Sequence, residues 1–216
     1  MDVDDFVARY PLLWHMADPH NHTGIAARGL LSTSALLDLF EYSGAEREAI
    51  ERRHRPANVV IRHPVHGTAV VRDQKPLTMR GLRESITDGT TPEDFLHFLN
   101  RRVFFWLTES RLRRMNAARA YRADEKLVYV LDTASLIARH ADRVLLSPMN
   151  SGATLPYPHP RSVAMFKSVA DYDFAARADR ADPVVELTVE GGVPDISAHV
   201  VRAEIWRGGE RVRELR

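Results

Sequence analysis

The stretch Val184-Val185-Glu186-Leu187-Thr188-Val189-Glu190 constrains the fold most, because apolar and polar residues alternate along it until Gly191-Gly192 ends the pattern. A period of two puts Val185, Leu187 and Val189 on one face and Glu186, Thr188 and Glu190 on the other, as in a half-buried strand. A carboxylate in mid-strand points either into water or into a cleft, and only a cleft gives it a tuned environment. The expectation is that Glu186 faces a cleft.

Val103-Phe104-Phe105-Trp106-Leu107 is apolar without alternation, which predicts a central strand covered on both faces. Further strands are expected at 12–16, 58–63, 68–72, 126–131, 144–146 and, antiparallel, at 200–206. Short helices fall between them, including one within 3–14 that runs into the strand at 12–16, 24–28 capped by Thr23, 109–120 capped by Thr108, and a polar helix at 174–180. About seven strands among short helices give an α+β single domain with a mixed or split central sheet. Residues 147–160 contain four prolines and one glycine, and an irregular loop of that length inside a domain is often functional.

Composition removes several function classes. A net charge of +1 from 30 basic and 29 acidic residues leaves no global field for nucleic acid or an anionic membrane, so any polyanion site is local. No apolar run spans a bilayer, and the acidic start lacks the basic region of a signal peptide, which predicts a cytoplasmic protein with no membrane partner. The chain has no cysteine, hence no disulfide and no thiolate nucleophile. Neither G-x-G-x-x-G, nor a P-loop, nor G-x-S-x-G occurs. There are ten histidines, but the close pairs His20/His22 and His63/His66 lack a helical partner with a nearby glutamate, so no metal site is expected.

Three separated pieces resemble one family. Leu13-Trp14-His15-Met16 followed by a helix and Gly29-Leu30-Leu31-Ser32 resembles the opening of ADP-ribosyltransferase-fold proteins. Arg102-Val103-Phe104-Phe105-Trp106-Leu107-Thr108 looks like their middle strand. Val185-Glu186-Leu187-Thr188-Val189, with Val193-Pro194 shortly after, is similar to the glutamate strand of DarT-type nucleic-acid ADP-ribosyltransferases. The whole chain also looks like a member of a bacterial family of about this length.

The resemblance implies an NAD-dependent mono-ADP-ribosyltransferase acting on a DNA or RNA base, possible as a toxin or phage-defence factor that needs an antitoxin; it leaves oligomeric state open. Glu186 would stabilise the oxocarbenium-like charge formed when the nicotinamide–ribose bond breaks. Arg72, at a strand end among polar residues, would be its catalytic partner and hold the pyrophosphate, with Arg101 or Arg102 next in line. His15 and Met16 on the first strand, with Gln74, would contact the dinucleotide. Phe105, Trp106 or Tyr121 would offer a ring to the nicotinamide, and Ser32 and Asn150 would bond its amide and the ribose hydroxyls. The middle strand departs from the family by reading Phe-Phe-Trp where many members carry hydroxyl side chains. Two other readings stand beside this one. One is a nucleotide or single-stranded nucleic-acid binding module using Arg101, Arg102, Phe105 and Trp106. The other is an RNA 2′-phosphotransferase-like enzyme drawing on Arg28, Arg72 and Arg102, although the Arg-His-x-Pro element is absent.

Overall fold

The computed structural model describes residues 2–180 and 182–215; Met1, at the acidic start, together with Ala181 and Arg216 lies outside them. Eight α-helices occur among the described residues: Val3–Arg9 (α1), His22–Arg28 (α2), Thr33–Leu39 (α3), Gly44–Glu51 (α4), Met79–Ser85 (α5), Pro92–Asn100 (α6), Glu109–Ala117 (α7) and Thr133–His140 (α8). The strands are Leu12–Ala17 (β1), Leu30–Leu31 (β2), Val59–His63 (β3), Gly67–Val71 (β4), Arg102–Trp106 (β5), Lys126–Asp132 (β6), Val144–Ser147 (β7), Glu186–Glu190 (β8), Gly192–Val193 (β9), Val200–Arg207 (β10) and Glu210–Leu215 (β11). The chain is α+β.

Seven strands form one sheet in the order β11-β10-β6-β1-β5-β8-β7, and every pairing in it is antiparallel. The sheet is therefore not mixed; it remains one seven-stranded sheet whose halves are joined between β1 and β5 by a narrow ladder. All of β1 pairs with β6, from Leu12↔Asp132 to Ala17↔Leu127. Between β1 and β5 the register holds at Trp14↔Trp106 alone. Where that ladder opens, a side chain takes over, with His15 Nδ1 lying 2.9 Å from the Phe104 carbonyl.

Both faces of the sheet are covered, as the apolar β5 run requires. Leu13, Phe105, Leu127, Leu187 and Ile205 pack with Phe6 of α1 and Leu136 of α8. Trp14, Val128, Val130 and Trp206 on the other face meet Leu112 of α7. Two satellite clusters flank this core. One joins α5 and α6 through Leu82, Phe95 and Leu96. The other joins α3 and α4 to the β3–β4 hairpin through Leu37, Ile50 and Ile61.

The alternating stretch is not half-buried, because Glu186 and Thr188 are as enclosed as their apolar neighbours. Glu190 alone reaches the surface, where it pairs with Arg101 and Arg102. Beyond it, β9 pairs with β2 through Leu30↔Val193 and Leu31↔Gly192. That contact depends on two glycines: at Gly192 (φ +121°) a Cβ would fall 2.3 Å from the Leu30 carbonyl oxygen, and at Gly29 (φ +84°) it would fall 2.3 Å from Pro194 Cα. Two motifs far apart in sequence therefore clamp each other.

Several expected boundaries differ. The helix expected within 3–14 ends at Arg9, and β1 begins at Leu12, where the first strand was expected to start. Thr23 lies inside α2, whose N-cap is Asn21; the Asn21 side chain instead bonds the Val70 amide and carbonyl, both at 2.8 Å, and ties the hairpin to the helix. Thr108 occupies the α7 N-cap without a capping bond. The polar helix at 174–180 reduces to the single 3-10 turn Ala175–Arg177. After β10, Gly208-Gly209 turns the chain back into β11, a strand not expected from the sequence, whose mostly charged and exposed stretch packs only Leu215 against the core.

Candidate functional site

A cavity of about 300 Å³ opens where the β1–β5 ladder narrows, walled by β1, β5, the start of β8, the β3–β4 hairpin, α2, and residues 150–152. Of the residues singled out from the sequence for the site, Arg101 alone does not line it, being paired with Glu190. His15 and Met16 enter from β1, Ser32 from the cap of α3, and Arg72 and Gln74 from the segment leaving β4. Arg102, Phe105 and Trp106 enter from β5, Asn150 from the proline-rich loop, and Glu186 from β8.

Glu186 is the pivotal group. Its side chain starts from the first residue of β8, between Trp106 of β5 and Ser147 of β7, and the residue is 4% exposed. Ser151 donates twice to the same oxygen, Oε2, from its amide at 3.1 Å and its hydroxyl at 2.7 Å. No protein donor among the described residues reaches Oε1. Burial pushes the carboxyl up to about 7, against the pull of the Ser151 bonds and the nearby Arg111 and Arg161 charges. A carboxylate in that range changes charge near neutrality.

His15 has the opposite perturbation. Burial lowers it to about 4, with the bond to Phe104 opposing and the Arg72 charge assisting. A carbonyl only accepts, so Nδ1 carries the proton and Nε2 is left as an acceptor. Arg72 donates from Nη1 to the Met16 carbonyl at 3.2 Å, and its guanidinium lies 5.7 Å from the centre of the Tyr121 ring. Burial lowers its pKa, with Tyr121 and Asp73 opposing. No other bond from its guanidinium occurs among the described residues, which leaves donors for an anion.

The remaining residues divide by what already occupies them. Gln74 Oε1 accepts from the Arg55 amide at 3.0 Å, leaving its NH₂ without a protein partner among the described residues. Ser32 Oγ accepts from Ala35 and caps α3, which holds it at the cavity wall. Trp106 is half-buried and sits beside Glu186 in register, whereas Phe105 is fully buried, with its ring 5.6 Å from that of His15. Trp106 is therefore the ring available for stacking. Arg102 touches the cavity, but its guanidinium donates to Glu190 at 3.1 Å and to the Phe98 carbonyl at 2.9 Å and rests 3.7 Å over the Phe98 ring. It is tied into the wall.

Sequence reasoning missed Ser151, Arg161 and Arg55. Ser151 lies in the loop marked as functional, but nothing in its local pattern separates it from Ser147 or Thr154. Arg55 is buried beside the cavity, where its Nε bonds the Arg72 carbonyl at 3.0 Å and its Nη2 bonds Asn100 at 3.0 Å. In the sequence it ends the basic run Arg52-Arg53-His54-Arg55, where nothing marks it as the buried member.

A second group of titratable side chains also escaped the sequence. His140, Asp195 and His199 bring ligand-type atoms within 4.8 Å of one another. The bonding opposes a cation there: Arg143 Nη2 lies 2.6 Å from His140 Nδ1, and an arginine only donates. His140 must then carry its proton on Nε2, where it donates to Asp195 at 2.8 Å. Arg139, 3.4 Å from Asp195, adds a further positive charge.

No helix among the described residues is long and apolar enough to cross a membrane. No curated protein matches the chain. A protein-family model described as a family of unknown function, DUF7002, matches residues 11–200, a span that holds the sheet's inner strands and the whole cavity lining, and the chain belongs to that family.

Proposed function

We propose that the cavity binds NAD and that the protein transfers ADP-ribose from it to an acceptor, with Glu186 as the catalytic carboxylate. The observation that carries this reading is the convergence of Glu186, His15 and Arg72, far apart in sequence, on one cavity with an open valence on each. A volume of about 300 Å³ suits a nucleoside-sized part of the ligand, with the rest extending outward. In the reaction the bond between nicotinamide and ribose C1′ breaks, its electron pair leaves with the neutral nicotinamide, and an acceptor nucleophile bonds C1′ while losing a proton. Glu186 Oε1 faces the developing positive charge and can take that proton. His15 Nε2 accepts from a ribose hydroxyl, Arg72 holds the pyrophosphate, and Trp106 supplies a ring face.

A DNA or RNA base is the acceptor suggested by the family resemblance, and exposed Arg28 beside the cavity favours a polyanion. Such an activity would make the protein a toxin or defence factor with an antitoxin partner. The non-catalytic nucleic-acid module is disfavoured because Arg101 and Arg102 both bind Glu190 and Phe105 is buried. The 2′-phosphotransferase set loses Arg102 for the same reason.

The test compares wild type and Glu186→Gln for thermal stabilisation by NAD and for nicotinamide release. Stabilisation of both proteins with release only from wild type supports transfer. Release that survives the substitution, or no response to NAD in either protein, rejects it.

A further inference from the structure

Arg161 is 2% exposed, and no carboxylate among the described residues lies within ion-pairing distance of it. A buried guanidinium left in that state is costly unless its donors are used. They are spent on carbonyls: Nη1 donates to Ser151 at 2.7 Å, Nη2 to Ala153 at 2.7 Å, and Nε to His159 at 3.3 Å. Thr154 N bonds the Pro76 carbonyl at 2.8 Å, and Arg161 N bonds Ser85 at 2.8 Å, so the loop is pinned at both ends while residues 155–160 between them are exposed. The inner part of this loop delivers Ser151 to Glu186.

We infer that Arg161 is a positioning residue: by gripping the Ser151 and Ala153 carbonyls it holds the Ser151 amide and hydroxyl against Oε2 of Glu186, so that Oε1 alone is presented to the ligand. The planar fork matters because two carbonyls must be held at once, which a single ammonium cannot reproduce. The arrangement also sets the charge on Glu186. Both Ser151 bonds favour the carboxylate, as do the Arg161 and Arg111 charges. Trp106 and Ser147, its neighbours on the flanking strands, bear no charge. His15 and Arg72 share the cavity. Only the role given to Oε1 depends on the transfer reading.

The experiment is a carbon-detected NMR titration of the glutamate carboxyls, with the Glu186 signal assigned by its loss in Glu186→Gln. It runs without NAD on wild type, Ser151→Ala, Ser151→Thr and Arg161→Lys. Removing the hydroxyl donor in Ser151→Ala should raise the Glu186 midpoint by about one pH unit. Ser151→Thr should restore it, and Arg161→Lys should raise it again by loosening the loop. Where wild type releases nicotinamide, the pH profile of release should move with the midpoint. An unchanged midpoint in folded Arg161→Lys, or in folded Ser151→Ala, overturns the inference; where Arg161→Lys fails to fold, Arg161→Gln, which has donors for one carbonyl only, is read in the same way. A midpoint that moves in a protein releasing no nicotinamide rejects the transfer reading and leaves the positioning role standing.

Discussion

Two regions of this molecule bring histidine, carboxylate and arginine together, and they differ in how their bonds close. In the His140–Asp195–His199 group, Arg143 donates to His140, His140 donates to Asp195, and Arg139 approaches the same carboxylate; among the three, His199 alone keeps a buried ring nitrogen, Nε2, without a hydrogen bond, 3.5 Å from Asp195. Arg143 also spans the Glu190 and Gly192 carbonyls at 2.8 and 2.9 Å, so the group locks the turn between β8 and β9. In the cavity, Glu186, His15 and Arg72 stand apart, each anchored on one side and open on the other. Buried polar groups that satisfy one another hold a structure in place, whereas buried groups left with open valences are prepared for something that arrives.

The largest effect that can break this contrast is catalytic. Glu186→Gln keeps an acceptor for Ser151 but removes the charge, and it should lower the rate of nicotinamide release by about 10³-fold. A fall of less than about tenfold would put the reaction elsewhere. Next comes stability. The folded-state value of about 7 for Glu186 lies above its ordinary value of 4.5, so the folded protein binds more protons between those limits and loses stability as pH rises through them. Glu186→Gln should therefore be more stable than wild type at pH 8, on the order of 3 kcal/mol by urea denaturation, with the difference vanishing below about pH 4.5. His15 has the reverse sign: lowered from 6.5 to about 4, it costs stability as pH falls through that window, and removing it should flatten the acid limb.

The closed group sharpens the comparison from the other side. Asp195→Ala should cost about 2 kcal/mol in denaturation, because His140 loses its acceptor. Stabilisation by NAD should be unchanged; a lost NAD response would show that the two regions are coupled. The smallest effect belongs to Arg72→Met, which should weaken NAD binding by about tenfold in calorimetry with little change in the melting temperature. An unaltered affinity would remove Arg72 from the anion subsite.

The cavity was more legible in the sequence than its supports were. Glu186 and Trp106 were legible because strand patterns place a mid-strand carboxylate and an apolar run in the sheet, although alternation wrongly assigned the Glu186 face to the half-exposed side. Ser151, Arg55 and Arg161 act through single bonds to partners distant in the chain, and no period marks such a residue. Arg102 shows the converse error: a strand-end arginine beside a cleft looks free in sequence, but Glu190 on the adjacent strand claims it. β11 was invisible because an edge strand exposed along most of its length needs no apolar face.

The two-residue ladder between β2 and β9 has a consequence for the order in which the protein matures. Leu30 finds Val193 only once the chain has grown past β9, so the wall built on β2 is fixed later than the parts of the cavity that precede it in the sequence. A shorter chain that stops before β8 holds His15 and Arg72 but neither the Glu186 carboxylate nor the ladder that fixes β2.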